Sequence, residues 1–186
     1  MVLGDISILV VGESEQEEVF GAVWIDTMID SGVAALRSVL DIPVIGPGRA
    51  SMLTAMLLGS RFSVVTMWKH WFHLYEKTIG DLGLRDHVAS IRSIDVAPDN
   101  QALLAGKEEY IFPLLLAEAE AAIAEDGADV ILLGSTTMHQ AHQFLSASLD
   151  VPVINPGPLT YKLVEVMLGL GLSHSRAAYP ASPVPR

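Results

Sequence analysis

Three features of this 186-residue sequence predict an α/β fold of two pseudo-symmetric lobes, each with a parallel sheet flanked by helices. Short β-branched runs alternate with longer stretches of helical periodicity, the pattern of strands covered by helices. The segment Leu40-Asp41-Ile42-Pro43-Val44-Ile45-Gly46-Pro47-Gly48 returns 109 residues later as Leu149-Asp150-Val151-Pro152-Val153-Ile154-Asn155-Pro156-Gly157, with two of its nine positions changed. Such self-similarity implies two halves that each present a strand, a turn and a helix. Mean hydropathy is +0.42, which suits a sheet buried on both faces together with an apolar subunit contact, so a homo-oligomer is expected.

Taken in order, the first strand is expected at 6–11, an apolar run that stops at Gly12-Glu13. The next is expected at 22–26, before Thr27, followed by a helix at 32–40. A short strand at 43–45 runs into Gly46-Pro47-Gly48, and a helix at 49–58 follows. The run Phe62-Ser63-Val64-Val65-Thr66 reads as a strand, and 68–82 as a helix on which Trp68, Trp71, Phe72 and Tyr75 have helical spacing; they are expected to pack over the cleft or between subunits, with a substrate-facing ring as the alternative. A strand at 88–94 precedes a long helix at 100–126. In that helix Phe112, Leu115, Leu116, Ala119 and Ile123 share one face while Glu118 and Glu125 stay wet. Pro113 either kinks it or marks a fresh start. A strand at 130–133, a helix at 138–149, a strand at 152–154 and a helix at 159–170 complete the pattern, with Pro158 suited to a helix start. The tail from Ser173, with Pro180, Pro183 and Pro185, cannot continue a helix and is expected either to pack as an extended arm or to fray.

Composition narrows the function. Asp and Glu number 22 against 11 Lys and Arg, a formal charge of -11, and the first basic residue is Arg37. No cationic stripe meets nucleic-acid phosphates or anionic lipid, so neither nucleic acid nor a membrane is an expected partner. Cysteine is absent, which removes disulfides, thiolate nucleophiles and thiolate metal sites. The opening residues carry no positive n-region and no stretch is long enough to span a bilayer, so a cytoplasmic location is expected.

Ligands of parallel sheets bind beyond the carboxyl ends of the strands, where loops hand over to helix N-termini. Five loops fit: Asp26-Thr27-Met28, Gly46-Pro47-Gly48, Thr66-Met67-Trp68, Ser135-Thr136-Thr137 and Asn155-Pro156-Gly157. They supply hydroxyls, an amide and a carboxylate, which suits a small polar or anionic molecule held by N–H and O–H donors. Gly46, Pro47, Thr66, Met67, Thr136, Thr137, Asn155 and Pro156 are the expected binding residues. A single Ser or Thr at such a junction is equally well read as an N-cap; three consecutive hydroxyls exceed what one helix end needs. Gly48 and Gly157 permit a close backbone approach or a positive φ. The acid/base candidates are Asp26, otherwise a turn-stabilising carboxylate, and His139, otherwise an exposed helix residue. His139 and His142 share a helix face, but no third ligand announces itself, so no metal is expected.

These residues resemble the aspartate/glutamate racemase superfamily, and most closely its hydantoin racemase branch. The resemblance rests on Asp30-Ser31-Gly32-Val33-Ala34-Ala35-Leu36-Arg37, Pro43-Val44-Ile45-Gly46, Phe62-Ser63-Val64-Val65-Thr66, Glu125-Asp126-Gly127-Ala128-Asp129-Val130-Ile131-Leu132-Leu133-Gly134 and Pro152-Val153-Ile154-Asn155, in that order. It implies two α/β lobes with the site between them. It also implies cofactor-independent removal and return of a proton beside a carbonyl by two cysteines, one from each lobe. In register, Thr27 and Ser135 stand where those cysteines would be. A hydroxyl is a far weaker acid than a thiol and needs an adjacent base, so two-thiol chemistry does not carry over. The resemblance also implies a first lobe, 1–58 and 155–186, that is short at its amino end, and a second lobe, 59–154.

Three readings follow. The first is a racemase or isomerase acting beside a carbonyl of a small amino-acid derivative or hydantoin-like compound, with Asp26, Thr27, Ser135 and His139 as its catalytic candidates. The second is a lyase or hydrolase of a small carboxylate, amide or imide, with Ser135 as nucleophile. The third is a non-catalytic protein that binds a small anion.

Overall fold

A computed structural model describes residues 6–10, 20–97 and 109–181. Its seven strands form two sheets. The first joins β1 (Ile6–Val10), β2 (Phe20–Ile25) and β3 (Val44–Ile45) in the order β1-β2-β3. The second joins β4 (Phe62–Thr66), β5 (Val88–Ser93), β6 (Val130–Leu133) and β7 (Val153–Ile154) in the order β5-β4-β6-β7 and is parallel throughout. β4 and β6 coincide with their predicted bounds, and the other strands fall within two residues of theirs. The first sheet departs from the expected parallel arrangement, because β1 runs antiparallel to β2. Only residues 11–19 separate these strands, fewer than the dozen or so that a parallel crossover requires.

The helices are α1 (Val33–Val39), α2 (Pro47–Leu58), α3 (Phe72–Leu82), α4 (Phe112–Ala124), α5 (His139–Ser148) and α6 (Pro156–Gly169). α2 and α6 begin earlier than predicted because Pro47 and Pro156 occupy first helical positions, where a missing N–H costs nothing. Pro158 therefore sits inside α6. The predicted 68–82 helix divides into a 3-10 turn, Lys69–Trp71, and α3. Of the predicted 100–126 helix, residues 100–108 lie outside the described residues, and the remainder is a 3-10 turn, Glu109–Ile111, followed by α4. Pro113, in the first turn of α4, marks a fresh start. No helix among the described residues is long and apolar enough to cross a membrane.

Alternation along β4 and β6 fills two cores, one on each face of the second sheet. Val65, Ile131 and Leu133 pack with Leu115 and Ala119 of α4 and Ala141 and Leu145 of α5. Phe62, Val64, Val130 and Leu132 pack with Met52 and Ala55 of α2, Tyr75 and Ile79 of α3, and Met28. Each large side chain buried in this way contributes about 1.5–3 kcal/mol. A smaller cluster of Val23, Ile25, Val33 and Val44 supports the first sheet.

The halves exchange helices. α2, which follows β3, packs on β4 and β6 of the second sheet; α6, which follows β7, packs on β2 of the first, and the two helices pack on each other. This crossing ties the carboxyl end of β2 to that of β6.

Candidate functional site

The chain leaves β2 at Ile25 and turns through Asp26 and Thr27 into Met28, whose side chain is buried in the second sheet's core. Asp30 follows in the left-handed region, φ 52°, a conformation that Asp tolerates better than most residues. Its carboxylate turns back to α2, where Oδ1 accepts the Gly48 amide and Oδ2 the Arg49 amide, each at 2.8 Å. Burial pushes this carboxyl above the ordinary carboxylate range, while the Arg49 and Gly48 amides pull it down.

The approach leaves no room for side chains. A β-carbon on Gly46 would lie 2.3 Å from Asp30 Oδ1, and one on Gly48 would lie 2.1 Å from the Met28 carbonyl oxygen. The close approach expected at Gly48 is therefore present. At Gly157 it is not: nothing lies within 4 Å of that position, and neither glycine has a positive φ.

On the other side of the crossing, β6 ends at Leu133 and Gly134 leads into Ser135, which is extended. Ser135 Oγ accepts the Thr137 amide at 3.3 Å and shares a 2.9 Å hydrogen bond with Thr137 Oγ1. Thr136 is buried, and its Oγ1 donates to the backbone carbonyl of Asp26 at 3.5 Å. That bond links the turn after β6 to the turn after β2; carried backwards, the 109-residue offset pairs Asp26-Thr27-Met28 with Ser135-Thr136-Thr137, and these two loops meet.

The remaining predicted residues are distributed as follows. Thr66 is wholly buried, its hydroxyl engaged with the Tyr75 hydroxyl at 2.9 Å, and Met67 is buried beside it. Pro47 and Pro156 are buried at the starts of α2 and α6, and Thr160 Oγ1 donates to the Pro156 carbonyl at 2.7 Å. Asn155 precedes α6 without capping it, and its Oδ1 is buried without a hydrogen-bond partner. Thr137 and His139 are exposed at the start of α5. His142 Nε2 lies 3.0 Å from the Val153 carbonyl and 3.3 Å from Ser146 Oγ. Among the described residues no three His, Asp or Glu side chains are grouped to hold a metal ion.

Two residues escaped the sequence reading. Asp30 contributed only to the resemblance and was given no role. Its signal is the pair of free amides that a Pro-Gly helix start leaves for an acidic partner. Tyr75 is expected to pack or to face substrate with its ring, and neither expectation covers its hydroxyl, which donates to the Gly134 carbonyl at 2.5 Å.

Residues 10–164 match the Asp/Glu/Hydantoin racemase family. A hydantoin racemase of Rhizobium meliloti is 36% identical over 156 residues, covering 81% of this chain and 63% of that protein. A hydantoin racemase of Pseudomonas sp. (strain NS671) is 32% identical over 166 residues, covering 87% and 64%. The chain thus spans a little under two thirds of the length of these relatives. The crystal structure of an allantoin racemase from Pseudomonas fluorescens superposes with a TM-score of 0.81 at 28% identity, covering 92% of this chain and 72% of that one.

Proposed function

This chain belongs to the Asp/Glu/hydantoin racemase family, and on that premise we propose that it exchanges the proton beside a carbonyl of a small amino-acid derivative, a hydantoin-like compound being the leading class. The observation that carries the reading is the meeting of the two loops, Thr136 Oγ1 within 3.5 Å of the Asp26 carbonyl. It brings the Ser135-Thr136-Thr137 turn beside the turn after β2, and we take the space that these two turns border as the substrate site.

The chemistry needs no co-reactant. A base on one face takes the proton, the electron pair moves onto the carbonyl oxygen as an enolate, and an acid on the other face returns a proton. Cysteine is absent from the sequence, so other groups must serve. Ser135 and Thr137 are hydrogen-bonded to each other, an arrangement suited to donating to the enolate oxygen. We assign acid and base to Asp26 and His139, binding to Thr136, Asn155 and the Gly46-Pro47 turn, and a place beside the reacting carbon to Thr27.

The test is loss of the C5 proton of a single-enantiomer 5-substituted hydantoin in heavy water, followed by NMR and polarimetry against buffer alone. Exchange above buffer that falls about 100-fold or more in Asp26→Asn and in His139→Gln supports the reading. A second reading, ligand binding without turnover, is favoured by the absence of both thiols. It predicts saturable binding with exchange no faster than buffer. A new product in place of exchange would point to a lyase or hydrolase.

A further inference from the structure

Beside the Ser135-Thr136-Thr137 turn, Tyr75 of α3 joins three elements through one oxygen. Its ring is buried in the core between α2, α3 and the second sheet. Its hydroxyl donates to the Gly134 carbonyl at 2.5 Å and shares a 2.9 Å hydrogen bond with Thr66 Oγ1 at the end of β4. Gly134 is packed against both partners: a β-carbon there would stand 2.6 Å from Thr66 Cβ, 2.8 Å from Thr66 Oγ1 and 2.9 Å from the Tyr75 hydroxyl. The backbone is also fixed from its other side, where the Gly134 amide donates to the Val65 carbonyl at 2.8 Å. The residue that follows is Ser135, and the next is Thr136, which reaches across to Asp26.

From this arrangement we infer that Tyr75 is a positioning residue. Through the Gly134 carbonyl it sets where β6 hands over to the Ser135-Thr136-Thr137 turn, and so where those hydroxyls stand relative to the turn after β2. The inference rests on the proton-exchange reading for its consequence, though not for its geometry. Burial pushes the Tyr75 hydroxyl up to about 12, so it remains a protonated donor across the range in which proteins work. Phenylalanine at this position fills the same core volume and leaves the Gly134 carbonyl and the Thr66 hydroxyl without their shared partner. A misplacement of about 1 Å at a reacting centre costs on the order of 100-fold in rate.

The experiment compares Tyr75→Phe with Ser63→Ala, which removes another buried hydroxyl of β4, one bonded to Ser90 at 2.8 Å, and with the double variant Tyr75→Phe/Thr66→Val. Backbone amide resonances of the intact chain give a readout independent of activity. Tyr75→Phe is expected to shift the amides of Ser135, Thr136 and Thr137 and, across the crossing, of Asp26 and Thr27. Ser63→Ala is expected to leave them in place. In hydantoin exchange, Tyr75→Phe should lower kcat about 10- to 100-fold with KM changed less than about 3-fold. The double variant, in which the Thr66 hydroxyl is no longer there to be left unpaired, should regain stability without regaining kcat. Unmoved amides, or a kcat that falls only as far as in Ser63→Ala, would overturn the inference. If the unaltered chain exchanges no proton but the amides move as expected, the positioning role stands and the proton-exchange reading is the one that fails.

Discussion

The Asp30 carboxylate closes on the start of α2, holding the Gly48 amide at 2.8 Å with one oxygen and the Arg49 amide at the same distance with the other. Charge-assisted bonds of this kind satisfy two of the donors that every helix start leaves open. They also fix the turn after β2 against the second sheet, on which α2 packs.

Removing that tie has a measurable cost. Asp30→Ala is expected to lower unfolding free energy by about 1–2 kcal/mol in urea titrations, with an unchanged denaturant slope. Gly48→Ala, whose new carbon would press on the Met28 carbonyl oxygen, should cost about 1–3 kcal/mol. An Asp30→Ala variant as stable as the parent would remove the carboxylate from this account.

Asp30 and Asp126 bend the pH profile of stability in opposite directions. Asp30 is pushed above its ordinary value by burial, so the folded state holds its proton more tightly than the unfolded state does. Its contribution is complete below about pH 3.9 and is lost as pH rises through the shifted value. Asp126 is held at about 2 by its hydrogen bonds to Arg92 and Ser90. Its contribution is present above the ordinary carboxylate value and is lost as pH falls towards 2. Unfolding curves between about pH 2 and pH 6 should therefore lose part of their acid decline in Asp126→Asn, and lose a decline on the rising side in Asp30→Asn. The reverse assignment of slopes would contradict both environments.

Gly134 and Gly157 make a paired prediction. Gly134→Ala forces a carbon against Thr66 and Tyr75 and should cost about 1–3 kcal/mol. Gly157→Ala enters open space in the first turn of α6 and should be neutral or stabilising by up to about 1 kcal/mol. Thermal melts of the two variants decide the matter, and equal effects would mean that the crowding at Gly134 relaxes freely.

The tail acts as a clamp on α1. Arg176 donates to the carbonyls of Arg37 and Leu40 and pairs with Asp41, while Arg37 donates to the Tyr179 hydroxyl at 2.8 Å. Arg176→Ala should lower stability by about 1–2 kcal/mol and speed hydrogen exchange at the carboxyl end of α1 ahead of the rest of the chain. Uniform exchange along the chain would argue against a local clamp.

Much of this was legible in the sequence, and the gaps have physical causes. β4 and β6 match to the residue because Val130-Ile131-Leu132-Leu133 is an unbroken apolar run, and Phe62-Ser63-Val64-Val65-Thr66 is apolar or β-branched but for Ser63, and both strands are buried throughout. The 109-residue repeat located the loops that meet. The direction of β1 was not legible from alternation, which marks a strand but not its sense; the length of the following connection decides that. The crossing of α2 and α6 was hidden for a similar reason, since a repeat states which segments are equivalent and not which sheet each helix covers. Asp30 escaped because its partners are amides 18 and 19 residues away: a Pro-Gly helix start signals free amides, but not which acidic residue reaches them. Of the two expectations for the tail, packing and fraying, the segment as far as Tyr179 follows the first: it turns at 176–178, and Arg176 and Tyr179 offer side chains to the carboxyl end of α1.

The bridge from Thr136 to Asp26 spans 3.5 Å, at the long end for a hydrogen bond and correspondingly feeble. A fastener this slack surrenders little when prised apart, so it is the packing of α2 on α6, rather than the bridge itself, that keeps the two halves in touch.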